Sequence, residues 1–300
     1  MGAAHAHPSP ESAGGRHRTR LATVLALVLA FVGVEVAGGL LTGSLTLLAD
    51  AGHMATDALG VGMALAAVTV ARRAAKHPGH TFGHYRWEVL AALANAALLL
   101  GVAAWVAFEA VERLREPSEV AAVPMLVVAT LGLAVNVVSF RLLSAGAKES
   151  LNVRGAYLEV VADAIGSVGV IVSGVVILTT GWPYTDAVVA LALAAFIVPR
   201  ALRLGRDAVR ILTQAAPASV DVAAVEAELA ALPSVTDVHD THVWTLTSGM
   251  DVVSVHLVSD WDRPATVVRA AQRLLRERGL AHATVQVESA SDGTRCGVDW

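Results

Sequence analysis

Residues 45–70, LTLLADAGHMATDALGVGMALAAVTV, form an apolar segment that is long enough to cross a lipid bilayer and yet contains ionisable side chains. His53 and Asp57 stand four residues apart, so in a helix they lie on one face. A later apolar segment repeats this spacing with Glu159 and Asp163. An ionised Asp near the bilayer centre costs about 2.5 to 3.5 kcal/mol on insertion scales, and a bound cation is the expected partner that offsets this cost.

The composition is that of an integral membrane protein. Of the 300 residues, 55% are hydrophobic and only 16% are charged, whereas soluble domains contain about 25% charged residues. The net charge is −4, and no basic stripe with interleaved aromatic residues occurs, so a nucleic-acid partner is not expected. The single Cys296 excludes an intrachain disulfide.

Six apolar segments of about bilayer-crossing length follow one another, which predicts six transmembrane helices in contact with membrane lipid. We place them at residues 21–41, 45–70, 88–111, 121–143, 156–180 and 184–204. Fourteen of the sixteen Lys and Arg residues in the first 210 positions fall on one side of this arrangement. By the positive-inside rule that side is the cytosol, so we expect a multi-pass protein of the cell membrane with both termini in the cytosol.

The segments outside these spans differ from them in polarity. Residues 1–20 are polar and contain several histidines, and we expect them to form a disordered cytosolic tail. Residues 21–212 form the six-span domain, and residues 213–290 show the alternating and amphipathic patterns of a small cytosolic α+β domain. Its predicted element order is αββαβ on one antiparallel sheet, followed by a tail at residues 291–300. The predicted helices are 220–231 and 264–278, and the predicted strands are 236–246, 251–259 and 282–288.

The intramembrane quartet has the chemistry of a metal site. One imidazole and three carboxylates suit tetrahedral Zn²⁺, and a carboxylate-rich set also admits harder ions such as Mn²⁺. These ligands bind metal only when deprotonated, so metal release and proton uptake are linked at the same atoms. The alternative is that these side chains join helices by hydrogen bonds without binding an ion.

Five short motifs together resemble one protein family, the cation diffusion facilitators of the bacterial zinc, cobalt and cadmium efflux type. The motifs are residues 43–53 followed by Asp57, and residues 81–88, 163–169, 242–244 and 282–286. The resemblance implies a homodimer of six-span protomers that exports a divalent cation from the cytosol in exchange for protons. It also implies a C-terminal ferredoxin-like domain that binds metal and dimerises.

One residue departs from the family pattern. Zinc-type members usually begin the motif of the fifth span with His, whereas this chain has Glu159. A carboxylate adds negative charge and oxygen character. Zn²⁺ is therefore the expected substrate, with Mn²⁺, Fe²⁺, Co²⁺ or Cd²⁺ as the alternative main substrate.

Further histidines stand outside the spans. The loop between the second and third spans contains His77, His80 and His84, which form either a second metal site or a group of solvated side chains. In the cytosolic domain the candidate ligands are His242, His256 and His282, on three predicted strands. A Zn²⁺ ion bound there is expected to regulate the transporter by favouring one arrangement of the domain.

Two other function classes are compatible with buried metal ligands. A membrane metalloenzyme needs an open coordination position and a general base, and the sequence contains neither an HExxH motif nor a nucleophile elbow. A non-transporting membrane metal sensor leaves the four intramembrane ligands without a role. We therefore expect a secondary transporter and not an enzyme.

Overall fold

The computed structural model of the chain describes residues 11–74, 82, 85–144, 151–247, 249–259 and 264–289. The side chains of residues 11–21, 60–74 and 151–156 are not among those described.

Six long helices follow one another in the order that the apolar segments predict. They are α1 (Glu11–Thr42), α2 (Leu45–Ala74), α3 (Arg86–Arg115), α4 (Ala122–Ser144), α5 (Leu151–Thr180) and α6 (Thr185–Leu212). Five of them, all except α2, are long and apolar enough to cross a membrane when the described residues are searched. Only part of α2 has described side chains, so the span at residues 45–70 stays a prediction. Helix α1 begins at Glu11 and so includes residues 11–20 of the predicted tail.

Two groups of packed helices make up the membrane unit, which comprises Met1–Gly62 and Ala94–Arg203. In the first group α4 packs against α1 and α5, and glycines bring the helices close together. A Cβ added to Gly132 of α4 would lie 2.6 Å from the Phe31 ring of α1, so only glycine fits this crossing. The second group joins α2, α3 and α6 through a core that includes five small or branched residues of α6: Ala187, Ala190, Ala194, Ile197 and Ala201.

The outer faces of these helices remain apolar. Leu41 is 86% exposed and Phe108 is 67% exposed, and many other large apolar side chains are also uncovered. Such extensive exposed apolar surface is expected where a protein contacts lipid and not water.

Asp186, near the start of α6, holds the beginning of α2. Its carboxylate accepts hydrogen bonds from Ser44 Oγ at 2.8 Å, from Leu45 N–H at 2.6 Å and from Thr46 N–H at 3.3 Å. The first N–H groups of a helix have no partner within the helix, so this side chain caps α2 from another helix. The contact fixes the depth of α2, and therefore of the ionisable residues further along it.

The second unit comprises Met63–Leu93 and Leu204–Trp300 and contains the cytosolic domain. Its elements are α7 (Val222–Ala230), β1 (Val235–Thr247), β2 (Met250–Ser259), α8 (Pro264–Glu277) and β3 (His282–Ser289). The predicted order αββαβ is confirmed. The helices pack on one face of the sheet, where Val225, Leu229, Ala271 and Leu275 meet Val253, Val255 and Leu257.

The predicted sheet pairing is wrong in one respect. The strand order is β1-β2-β3, with β1 and β2 antiparallel but β2 and β3 parallel. Helix α8 forms a crossover between β2 and β3, so the chain returns in the same direction before it pairs. The sheet is therefore mixed, and not antiparallel throughout.

Candidate metal centre

Three of the four predicted intramembrane ligands come together between α2 and α5. His53 Nε2 lies 3.7 Å from Asp57 Oδ2 and 3.9 Å from Asp163 Oδ1, and the candidate ligand atoms all lie within 4.8 Å of one another. An ion in the plane of three atoms with these separations and equidistant from them would lie at most about 2.5 Å from each, compared with the usual distances of about 2.0–2.2 Å for zinc bound to nitrogen or oxygen. We call these three residues the membrane triad.

The helices that carry the membrane triad can approach because small residues line their contact. His53 and Asp57 are one turn apart on α2, and Asp163 faces them from α5. Near this point α5 has Gly166, where an added Cβ would lie 2.7 Å from Asp50 Oδ1 of α2. A larger residue at position 166 would therefore displace the Asp50 carboxylate beside the triad.

The ligand atoms of the membrane triad have no hydrogen-bond partner among the described residues. These atoms are both ring nitrogens of His53, Oδ2 of Asp57 and Oδ1 of Asp163. His53 and Asp163 are buried, and Asp57 is largely so. Since buried polar atoms almost always have partners, the set has the features of an ion-binding site.

Glu159 lies beside the membrane triad and is paired with Arg200, while its Oε2 is buried and has no hydrogen-bond partner among the described residues. Its Oε1 accepts a hydrogen bond from Arg200 Nη2 of α6, and the same Nη2 lies 3.8 Å from Asp57 Oδ2. From the sequence alone, Arg200 is one of the fourteen basic residues on the cytosolic side. Its position inside the last apolar segment, at 184–204, is the one signal that it faces other charged groups.

A second pair of buried acids lies on α1 and α2. Glu35 and Asp50 are 1% and 3% exposed. Within the described part of the chain, both carboxylate oxygens of Glu35 and Oδ2 of Asp50 lack a hydrogen-bond partner. Asp50 and His53 also border a cavity of about 250 Å³ whose other walls include Ile165, Phe196 and Ile197. The membrane triad is therefore adjacent to open volume inside the membrane unit.

In the cytosolic domain a different set of residues comes together. His239 Nε2 lies 3.5 Å from Glu288 Oε2, and His256 Nδ1 lies 3.0 Å from Glu288 Oε1. The three side chains offer ligand atoms within 4.8 Å of one another. His239 and His256 are directly paired across β1 and β2, which explains their proximity.

The histidine set predicted from the sequence for this domain does not assemble within one chain. His256 joins His239 and Glu288, whereas His242 contacts Asp240 at 2.8 Å. His282 pairs with Val252, four residues from His256 along β2, so it is about 13 Å away at 3.3 Å per residue. Its ring packs against Phe82 with 6.2 Å between centroids. The predicted loop site of His77, His80 and His84 lies outside the described residues.

Comparison with known proteins identifies the family. Residues 21–213 match the family described as the cation efflux transmembrane domain, and residues 217–290 match the cation efflux protein cytoplasmic domain. The chain belongs to the cation efflux, or cation diffusion facilitator, family. This assignment confirms the resemblance that the five motifs carry.

The relatives of this cation efflux protein match it over nearly their whole length. The metal cation efflux system protein CzcD of Cupriavidus metallidurans is 42% identical over 97% of this chain and 91% of its own. The zinc transporter ZitB of Escherichia coli is 37% identical over 96% of this chain and 93% of its own. The cadmium, cobalt and zinc/H⁺-K⁺ antiporter of Bacillus subtilis is 34% identical over 92% and 90%.

Part of the chain is also similar to a solved structure. It is the metal-bound C-terminal domain of CzcD from the Cupriavidus species, which is 36% identical and covers 23% of this chain and 99% of that one, with a TM-score of 0.22.

The family assignment decides between the function classes. This cation efflux protein is a multi-pass membrane transporter with a cytoplasmic C-terminal domain, and it is not an enzyme. The metalloenzyme and sensor alternatives are not supported.

Proposed function

We propose that this cation efflux protein exports Zn²⁺ from the cytosol in exchange for protons, and that the membrane triad of His53, Asp57 and Asp163 binds the ion during transport. The observation that carries the proposal is the meeting of three largely buried ligand atoms, which lie within 4.8 Å of one another and have no hydrogen-bond partner among the described residues. Glu159 is the fourth candidate ligand: its Oε1 pairs with Arg200, and its Oε2 has no hydrogen-bond partner among the described residues.

The donor set supports coupling to protons. The histidine and carboxylate ligands must be deprotonated to hold a cation, so protons that reach the same atoms displace it. In the cytosol-facing state the deprotonated triad takes up the metal. On the other side, protons bind to the ligands and release it.

The names of two relatives support zinc as the principal ion, because both refer to zinc explicitly. An imidazole with carboxylates is also a usual ligand set for Zn²⁺. Cd²⁺ and Co²⁺ are the next candidates, because the Bacillus antiporter is named for them. Mn²⁺ and Fe²⁺ become candidates through Glu159, since an additional carboxylate favours harder ions.

For the cytosolic domain we propose a regulatory Zn²⁺ bound by His239, His256 and Glu288, and a homodimer formed through this domain. The grouping of these three side chains supports the metal site. We place the protein in the cell membrane with both termini in the cytosol, on the basis of the positive-inside distribution of Lys and Arg.

A flux assay in proteoliposomes tests the transport proposal. Vesicles that hold a zinc indicator and a pH dye should show Zn²⁺ movement with opposing proton movement. Asp57→Asn should lower the zinc flux by about a hundredfold or more, because even the hydrogen-bond partners of metal ligands contribute 10- to 100-fold. Asp207→Asn, the same change at an exposed position of α6, is the matched control. Zinc flux at the control level in Asp57→Asn would refute the proposed site.

A further inference from the structure

We propose that Arg200 is a fixed counter-cation of the transport site, which competes with the metal for Glu159 and so keeps metal binding weak enough for release. This inference rests on the proposed function, because it takes the membrane triad as the site of the transported ion.

The first observation is the position of the guanidinium group. Arg200 reaches from α6 to two carboxylates on two other helices, donating to Glu159 Oε1 on α5 and lying 3.8 Å from Asp57 Oδ2 on α2. Asp57 is itself a member of the membrane triad. The positive charge therefore lies beside the atoms that would hold the metal. It pairs with one oxygen of the carboxylate that could complete the coordination, and the other oxygen, Oε2, has no hydrogen-bond partner among the described residues.

The second observation is the total charge of the three carboxylates and Arg200. The three carboxylates of Asp57, Glu159 and Asp163 carry three negative charges when ionised, and Arg200 carries one positive charge that proteins do not remove. A divalent cation then makes the whole group neutral. Without Arg200 the same site would retain a net negative charge around the metal. Since charges a few Å apart interact strongly in a partly buried site, the arginine lowers the affinity for any cation placed there.

The third observation is the accessibility of the pair. The side chains of Arg200 and Glu159 are 33% and 36% exposed, so neither is locked in the core. Partly exposed ion pairs add little stability. The pair is therefore suited to opening and closing during transport, and its removal should leave the fold intact.

The chain offers a close control for the experiment. Arg203 lies three residues further along α6, is exposed, and its Nε donates to the Pro199 carbonyl at 3.2 Å. Within the described part of the chain, Arg203 makes no contact with the carboxylates of Asp57, Glu159 or Asp163. Arg203→Gln therefore removes the same charge from the same helix without changing the site.

The test measures the KM and the maximal rate of Zn²⁺ transport by the full chain in proteoliposomes. Arg200→Gln should lower the KM by about tenfold or more, a change that corresponds to 1.4 kcal/mol. It should also lower the maximal rate, because the metal leaves more slowly. Arg200→Lys keeps the charge and should stay closer to the wild type than Arg200→Gln does. Arg203→Gln should match the wild type.

A second pair of variants shows whether the effect acts through Glu159. Glu159→Gln alone should raise the KM, because it leaves the charge of Arg200 without its partner. Combining Glu159→Gln with Arg200→Gln should bring the KM back towards the wild-type value. A residue with a merely structural role would not produce opposite changes in KM that cancel in the double variant.

The outcomes separate this inference from the proposed function. If Asp57→Asn transports zinc normally, the proposed site is wrong, and the inference falls with it. If Asp57→Asn is inactive but Arg200→Gln has the same KM as Arg203→Gln, only the inference is overturned. Equal KM values for Arg200→Lys and Arg200→Gln would also overturn it, because the charge would then have no role. If Arg200→Gln is not recovered as a monodisperse protein, Arg200→Met also removes the charge. It should show the same changes in KM and maximal rate.

Discussion

Substitution of Asp186 tests whether this residue holds the start of α2, and with it the transport site, at its depth in the membrane. Its carboxylate accepts hydrogen bonds from Ser44 Oγ, Leu45 N–H and Thr46 N–H, and all four residues are buried. Asp186→Ala removes these acceptors and leaves two backbone N–H groups at the start of α2 unpaired. Asp186→Asn keeps one acceptor oxygen and should have a smaller effect.

The size of the effect follows from these contacts. A buried donor without a partner costs about 1 to 3 kcal/mol, and the loss of a helix N-cap costs about 1 kcal/mol. Because the two costs overlap at the same atoms, we expect a loss of about 3 kcal/mol in the free energy of unfolding for Asp186→Ala and about half of that for Asp186→Asn. His53 lies eight residues beyond Leu45, about 12 Å along the helix, so displacement of α2 should also lower the zinc flux.

Thermal unfolding of the purified protein in detergent, with zinc flux measured on the same preparations, checks both effects. Asp207→Ala, at an exposed position of α6, is the control. We expect Asp207→Ala to melt at the temperature of the wild type, Asp186→Asn at a lower temperature and Asp186→Ala at the lowest. If Asp186→Ala has the same melting temperature as Asp207→Ala, the carboxylate does not hold α2 and the reasoning fails.

Three further predictions concern the two metal sites. His239→Ala and His256→Ala should each remove one bound Zn²⁺ per chain in equilibrium dialysis while His242→Ala retains it, and equal loss in all three would contradict the cytosolic assignment. Gly166→Val should abolish zinc flux without preventing membrane insertion, because even a Cβ there would lie 2.7 Å from a carboxylate oxygen of α2; wild-type flux would show that the contact is unimportant. Added Zn²⁺ should raise the melting temperature of the wild type more than that of Asp163→Asn, since a ligand stabilises only the state that binds it, and equal shifts would argue against Asp163 as a ligand.

Local patterns in the sequence were sufficient to predict much of the membrane unit. Long apolar runs predict helices because a bilayer offers no other partner to backbone N–H and C=O groups. The four-residue spacing places His53 and Asp57 on one face because the helix repeats every 3.6 residues. Both inferences depend on neighbours in the chain, and the structure agrees with both.

The parts that the sequence could not predict depend on distant residues. Asp186 caps a helix that begins 141 residues earlier. Arg200 meets Glu159 across 41 residues, and neither position has a local signature of pairing. In the cytosolic domain, β1 is irregular between His239 and His242, and Asp240 has a φ of 52°. Strand alternation alone cannot locate such a bulge, so it could not show that His239, and not His242, faces His256.

The coordination of zinc by the membrane triad is tested most directly by zinc X-ray absorption spectroscopy of the full chain. The sample should carry His239→Ala and His256→Ala, which remove two ligands of the proposed cytosolic site, and His77→Ala, His80→Ala and His84→Ala, which remove the predicted loop site. The proposed site predicts one imidazole per zinc, with oxygen ligands at about 2.0 to 2.2 Å and no sulfur. Adding His53→Ala should remove the imidazole signal. Two or more imidazoles per zinc, or a signal that does not change with His53→Ala, would contradict the proposal that the triad holds the transported ion.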